Sequence, residues 1–389
     1  MIRRLQDLDT PIKDGKSLIL LGPRGVGKTS LVKEQLKNHK NVLSFNLLKG
    51  EEYRMFAGQT EIFRKEVEYQ INQKEKLIVF VDEVQRIPDL LNEVHFLIEE
   101  YKNKVQFILT GSSARKLRRQ EANLLAGRAI NLKLHPISVF ESDAPLEQLL
   151  QFGQLPVALH SNDSSYLETY VDIYLREEIY QESLIRKQEV FSRFLDVAAQ
   201  YSGEPIAYTK IAKLSATSDN TVKEYFQILV DTLLVHRIDG WSHSTIKQLN
   251  KQPRFYFFDL GVLNAAKGEV SSKVKLSSGR GGKLFEHLVI LELIRLNDYY
   301  NKRYKFFHYR ERENAEIDLI LQRNLNEPPI AIEIKVDGTP EPSELRTLEK
   351  FKELEKKAKC LCFTAGNSSY QQGPVIICPW KEGIKKLFS

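Results

Sequence analysis

Five short apolar runs punctuate the first third of the chain: Ser17–Leu21 and residues 42–47, 77–81, 105–110 and 129–134. Each is apolar almost throughout rather than alternating, the pattern of parallel strands covered on both faces. Charged segments of helical period lie between them, such as residues 63–72 and Leu90–Tyr101. This alternation predicts a doubly wound α/β domain with a parallel sheet, ending near Glu141.

The pattern turns helical from Leu146 to about Gln200, with YLETYVDIYLREEIYQESL as its longest stretch. The next segment, YTKIAKLSATSDNTVKEYFQILVDTLLVHRI, reads as helix, turn, helix and then an apolar strand. Ile211 and Leu214 take core positions in the first helix, and Ser218 is placed to cap the second. Val222, Phe226 and Leu229 recur at helical spacing and face inward, which leaves Asn220, Thr221 and Lys223 outward. The loop SSKVKLSSGRGG marks a boundary. Beyond it come a helix at 283–297, strands at 304–309, 315–321 and 330–336, another helix and a final strand pair. The expected domains are therefore 1–141, 142–270 and 271–389.

At 389 residues, 42% hydrophobic and 28% charged, the chain has the balance of a soluble globular protein of two or three domains. No apolar run approaches the roughly 18–20 residues that cross a bilayer. The first residues, MIRRLQDLDT, have no apolar core after their arginines, so a cytoplasmic location is expected. Lys and Arg number 57 against 51 Asp and Glu, a net charge of +6 that permits a nucleic-acid partner without requiring one. Cys360, Cys362 and Cys378 lack the spacing of a zinc site and are expected to be buried structural thiols.

The strand SLILL runs into Gly22, Pro23, Arg24, Gly25, Val26, Gly27, Lys28 and Thr29, which fit the P-loop pattern GxxxxGK[ST], with Ser30 next on the following helix. Glycines let the backbone wrap phosphate oxygens, and the helix N-terminus presents its amides to them. Lys28 is placed for the β- and γ-phosphates of ATP and Thr29 for Mg²⁺. A second element makes the pattern specific. The run LIVFVDE ends in Asp82, positioned to hold Mg²⁺, and Glu83, positioned as the base that activates water. FILTGSS offers Thr110 and Ser112 to the γ-phosphate or the attacking water. Arg128 in LLAGRAINL reads equally as an arginine finger on a neighbouring subunit or as a solvated turn residue.

GPRGVGKTSL, LIVFVDEVQRIPDLL, ILTGSSARKL and LAGRAINLKLHPIS resemble the prokaryotic AAA-type ATPases that carry an uncharacterised C-terminal domain. YLREEI, PRFYFFDLGVLNA, KLFEHLVILEL, YRERENAEIDLIL and AIEIKV are similar to the later blocks of the same family, so the resemblance covers nearly the whole chain. It implies an AAA-type ATPase core, a helical and winged-helix module, and a C-terminal α/β domain of the PD-(D/E)XK nuclease fold. In ATPases of this kind the winged helix serves as a DNA reader or as a lid and subunit contact.

Glu286 in GKLFEHLVILEL, Asp318 in AEIDLIL, and Glu333 with Lys335 in AIEIKV follow the order of the PD-(D/E)XK superfamily. Strand alternation puts Glu316 with Asp318 on one face and Glu333 with Lys335 on one face. Asp318 and Glu333 are thus expected to converge on one divalent ion, with Lys335 beside a scissile phosphate. Alternating charges on the wet face of a strand give the same letters. The leading expectation is an ATPase that binds DNA with little sequence preference and remodels or translocates it, including branched DNA. It would work as a closed homo-oligomer, with a hexameric ring as one arrangement. The rivals are a Mg²⁺-dependent DNA endonuclease gated by the ATPase, and an ATP-dependent signalling switch, against which Glu83 argues because a switch needs no hydrolytic base.

Overall fold

The computed structural model describes residues 2–112, 125, 127–175, 179, 188–242, 251–310 and 315–389. The chain packs as two compact units. One is built mainly from Met1–Ile137 together with Gln227–Leu234, and the other from most of the remainder.

In the first unit β1 (Ser17–Leu21), β2 (Val42–Asn46), β3 (Leu77–Asp82), β4 (Val105–Gly111) and β5 (Ala129–Lys133) form one sheet in the order β2-β3-β4-β1-β5. Every pairing is parallel, as the apolar runs predict. β1 sits between β4 and β5 instead of beside β2, so the chain leaving it crosses two strands. In open parallel sheets, ligands bind beyond the C-terminal strand ends where the order switches in this way. Helices Thr60–Ile71 and Leu90–Tyr101 bury Phe63, Val67 and Ile71, and Leu90, Leu91, Val94 and Leu97. Phe45, Phe56 and Phe63 meet edge-on with ring centroids 5.2–5.7 Å apart, each such pair adding about 0.5–1.5 kcal/mol beyond its buried area.

The second unit opens with short helices at Leu146–Phe152, Pro156–Ser161 and Ser164–Thr169 and a π-helical turn at Tyr170–Leu175. The stretch YLETYVDIYLREEIYQESL, expected to be helical, is helical at the residues described, through Leu175 and at Ile179. Residues 176–178 and 180–184 of the stretch, including half of YLREEI, lie outside the described residues, as do 113–117 of ILTGSSARKL and 311–314 of YRERENAEIDLIL.

Helices Tyr208–Leu214 and Asp219–Asp231 occupy the expected helix-turn-helix segment, and Ser218 Oγ accepts the Thr221 amide at 3.2 Å. Ile211, Val222, Phe226 and Leu229 are buried, and Phe226 stacks on Phe255 at 4.1 Å. Leu214 departs from expectation at 52% exposed, because the helix ends there and the fully buried Ser215 takes the inward position.

β6 (Val235–Gly240) and β7 (Arg254–Phe257) pair antiparallel after these helices. β6 then pairs in parallel with β8 (Lys305–Arg310), Asp239 opposite Phe307 and Gly240 opposite His308. With β9 (Glu316–Gln322), β10 (Ile330–Lys335), β11 (Lys359–Thr364), β12 (Tyr370–Gln372) and β13 (Val375–Pro379) this gives eight strands in the order β12-β13-β11-β10-β9-β8-β6-β7. The sheet therefore runs through the boundary expected at residue 270. Unpaired strand groups favour such pairing wherever two edges meet, and apart from Gln227–Leu234 most of the middle segment shares one compact unit with the C-terminal one.

Helix Gly279–Tyr299 begins four residues before its expected start because Ser278 Oγ accepts the Gly281 amide. Farther along it, Glu292 and Arg295 are fully buried and paired. Ser138 Oγ and Gln154 Nε2 donate to Glu292 at 2.6 and 2.8 Å, and Arg295 also donates to Gln154. The three cysteines are buried free thiols, with Cys360 and Cys362 pushed up by burial to about 11 and about 12. Among the described residues no helix is long and apolar enough to cross a membrane.

Candidate functional site

The glycine loop joins β1 to helix Lys28–Leu36, beyond the C-terminal end of β1. Gly22 has no room for a side chain, since a Cβ there would come 2.2 Å from the Leu134 carbonyl oxygen. Gly25 and Gly27 take φ of 81° and 93°, the left-handed region that favours glycine. Val26 is fully buried and anchors the loop, Pro23 is buried, and Arg24, Gly25 and Ser30 are exposed. Lys28 is 5% exposed and folds back on its own loop, Nζ donating to the Gly22 and Pro23 carbonyls at 2.8 and 3.1 Å. That loop has the backbone form and the cation that a polyphosphate needs.

Asp82 ends β3 beside this loop. Thr29 Oγ1 donates to its two carboxylate oxygens at 2.9 and 3.0 Å, and Thr110 Oγ1, from the end of β4, donates to Oδ1 at 2.5 Å. Thr29 and Asp82 thus present hard oxygen donors side by side, the chemistry that suits Mg²⁺. Glu83 follows in a left-handed conformation (φ 62°, ψ 46°), with its amide donating to Thr110 Oγ1 at 3.1 Å. Such backbone costs a non-glycine residue of order 1–3 kcal/mol and persists where the surroundings fix it. Its carboxylate accepts from Gln85 Nε2 at 2.5 Å and from Ser112 Oγ at 3.4 Å, and Gln85 also donates to Ser112 at 2.9 Å.

The structure therefore brings Lys28, Thr29, Asp82, Glu83, Thr110 and Ser112 together. It places Arg128 elsewhere, ion-paired with the exposed Glu99. Two residues of this region escape sequence reasoning. Arg4 donates to the Val26 and His135 carbonyls at 2.9 and 2.6 Å, stapling the loop to the chain beyond β5. Gln85 holds the Glu83 carboxylate, and its position two residues after Glu83 is the only trace of this in the sequence. At the other end of the same strands a cleft of about 620 Å³ is lined by Lys13, His39, Lys40, Lys76 and Lys104.

In the C-terminal region, β9 and β10 pair antiparallel, and the register that sets Ile332 opposite Leu319 puts Asp318 and Glu333 at facing positions one step on. Glu333 and Lys335 share a face, Nζ lying 3.0 Å from Glu333 Oε1 and 3.6 Å from Glu344. Asp318 Oδ2 accepts the Ile334 amide at 2.8 Å. Glu286 accepts from Tyr256 Oη at 3.3 Å. Burial, then the Asp318 charge, pushes Glu286 and Glu333 above the usual carboxylate range, and burial raises Asp318. Burial alone would lower Lys335, but the Glu333 carboxylate outweighs it and holds the ammonium charged. Glu286, Asp318, Lys335 and Glu344 line a cleft of about 580 Å³. Asp318 and Glu333, expected to converge on one ion, do face each other, and with Glu286 they stand close enough for their charges to raise one another. Among the described residues no group of three or more His, Cys, Asp or Glu could hold a metal ion. In this arrangement each carboxylate also has its own polar partner: Tyr256, the Ile334 amide and Lys335.

Residues 14–142 match the model of a family described as an AAA domain. Residues 144–273 and 281–382 match two domains of unknown function, DUF8612 and DUF4143. Uncharacterized proteins Rv2008c of Mycobacterium tuberculosis and Mb2031c of Mycobacterium bovis are each 25% identical over 273 residues, 68% of this chain. The chain spans only 59% of the length of these relatives. An uncharacterized protein of Haemophilus influenzae is 20% identical over 304 residues, 73% of this chain and 72% of its own. Among solved structures, the Aeropyrum pernix ORC1 protein in complex with DNA aligns with a TM-score of 0.33 at 12% identity, over 69% of this chain and 91% of that one. The Pif1 helicase of Candida albicans aligns at 0.28 and 13%, over 46% and 47%. TM-scores this low do not establish a common fold. The family match and the parallel sheet with its glycine loop agree, and residues 14–142 are a P-loop domain of the AAA type.

Proposed function

We propose that this chain hydrolyses ATP with Mg²⁺ and uses the cycle to act on DNA with little sequence preference. The carrying observation is the Asp82 carboxylate, which gathers Thr29 from the glycine loop and Thr110 from β4 and stands next to Glu83. With nucleotide bound, Lys28 leaves the carbonyls of its own loop for the β- and γ-phosphates. Thr29 and Asp82 would hold Mg²⁺, which would offset charge on the phosphates, and Glu83 would act as the base toward water.

DNA is the favoured partner because the helices Tyr208–Leu214 and Asp219–Asp231 with β6 and β7 have the element order of a winged helix. The second helix carries Lys223 beside Asp219, Glu224 and Asp231, a weakly basic face that favours contact without base reading. The lysine-lined cleft of the AAA domain adds positive surface suited to phosphates. Arg128, held by Glu99 on the surface, becomes a finger when subunits close into a ring and a neighbour's γ-phosphate competes for it. The mixed sheet from β8 to β13, flanked by helices Gly279–Tyr299 and Pro342–Leu354, supports a nuclease-like fold kept without the matching ion site.

The test is ATP hydrolysis measured with and without single-stranded, duplex and branched DNA. The expected outcome is turnover that DNA stimulates. Absence of hydrolysis would overturn the ATPase reading. Hydrolysis indifferent to every DNA, with no DNA binding at low salt, would leave an ATPase directed at another partner.

A further inference from the structure

Arg254 opens β7, outside the segment in which the sequence places the carboxylates, yet its guanidinium stands among them. Its side chain is 4% exposed; Nη2 pairs with Glu316 and Nη1 lies 4.0 Å from Glu286 Oε1. Tyr256, two residues along the same strand, donates to that same Glu286 oxygen. The charge of Arg254 also reaches Asp318. A strand holds Arg254 in place: its backbone pairs with Ile238 on β6, and an isolated bridge joins it to Pro205.

We propose that Arg254 is the built-in counter-ion of this carboxylate cluster and takes the place that a divalent cation would otherwise fill. A guanidinium keeps its charge at any working pH and offers a rigid fork of N–H donors to carboxylates. Mg²⁺ instead demands about six oxygens at about 2.0–2.1 Å. Here Glu286 faces Arg254 and Tyr256, Glu316 faces Arg254, Asp318 takes the Ile334 amide, and Glu333 Oε1 faces Lys335. Glu333 Oε2 is buried without a hydrogen-bond partner, on the side of the cluster that Lys335 serves and Arg254 does not reach. On this proposal the cleft beside them takes no divalent cation while Arg254 is in place. This inference is independent of the ATPase reading.

The experiment is a Mn²⁺ titration of the full-length, nucleotide-free protein, followed by calorimetry and by thermal melting. Wild type should show no binding that Asp318→Asn removes. Arg254→Met keeps the length of the side chain and deletes its charge, leaving carboxylates that repel. It should melt lower than wild type, and millimolar Mn²⁺ should raise its Tm by several degrees, a rise absent from Arg254→Met/Asp318→Asn. Saturable Mn²⁺ binding by wild type that Asp318→Asn abolishes would overturn the proposal. So would an Arg254→Met protein that folds and gains no response to metal. The wild-type titration decides the matter even if Arg254→Met does not fold.

Discussion

Thr29 Oγ1 lies 2.9 and 3.0 Å from the two carboxylate oxygens of Asp82, tying the first turn of the helix after the glycine loop to the end of a strand 53 residues later. Thr110 donates to the same carboxylate and receives the Glu83 amide, so one hydroxyl orients both acids. Thr110→Val keeps the shape and deletes both hydrogen bonds. ATP affinity should change little while turnover falls roughly 10–100-fold, the usual scale for an orienting partner of a metal ligand. Steady-state kinetics beside nucleotide titration checks this, and unchanged kcat would remove Thr110 from the site.

Lys28→Ala should abolish nucleotide binding, because the β- and γ-phosphate charges lose their main counter-ion. Glu83→Gln should bind ATP normally and fail to turn it over, since an amide cannot accept the proton from water. Binding by fluorescent nucleotide and release of phosphate separate the two. Full turnover by Glu83→Gln protein would move the base to another group.

If Arg128 acts across a subunit boundary, Arg128→Ala should keep ATP binding and lose turnover steeply; arginine fingers in GTPases are worth roughly 10³–10⁵ in rate. Glu99→Ala releases Arg128 from its ion pair and should leave turnover intact or raise it. Light scattering with ATP should show a closed oligomer. A monomer that hydrolyses ATP at full rate contradicts the finger.

The fully buried Glu292–Arg295 pair makes a stability prediction. Glu292→Ala strands the guanidinium in the interior and should cost about 3–5 kcal/mol. Glu292→Gln retains an oxygen for Ser138 or Arg295 and should cost less. Chemical denaturation of both variants gives the order, and equal stability would show that water reaches the site.

His287 and His308 set a pH dependence. Burial pushes His287 down to about 3 and His308 down to about 4, and each ring donates Nε2–H to a backbone carbonyl, Phe257 and Gln252 respectively. Their folded values lie below the 6.5 of the unfolded chain, so the folded state binds fewer protons. Their contribution is whole above about pH 6.5 and is lost as pH falls toward 4 and 3. Melting temperature should therefore drop between pH 7 and pH 5, and less steeply in His308→Gln, whose amide can still donate to Gln252. Parallel melting curves for the two proteins would contradict the assignment.

The parallel strands of the AAA domain and its nucleotide loop were legible because each is a local signal. Apolar runs covered on both faces need no partner to be recognised, and GPRGVGKT and VFVDE carry their chemistry within a few residues. Periodicity likewise placed Val222, Phe226 and Leu229 inside. Leu214 was misplaced because periodicity does not say where a helix stops. What the tertiary structure alone decided depends on residues far apart in sequence. The left-handed Glu83 is fixed by Thr110, Gln85 and Ser112, and no composition rule reports a backbone angle. The edge of β6 completes its hydrogen bonding on β8, so one sheet takes strands from both the middle and the C-terminal segments. The order of Glu286, Asp318, Glu333 and Lys335 reads as a metal site, and facing strands do bring Asp318 and Glu333 opposite each other. The guanidinium among these carboxylates comes from Arg254, 64 residues before Asp318, in the block PRFYFFDLGVLNA to which the sequence reading gave no part in the site. Electrostatic neutralisation is settled by proximity in space, and only the folded chain contains that information.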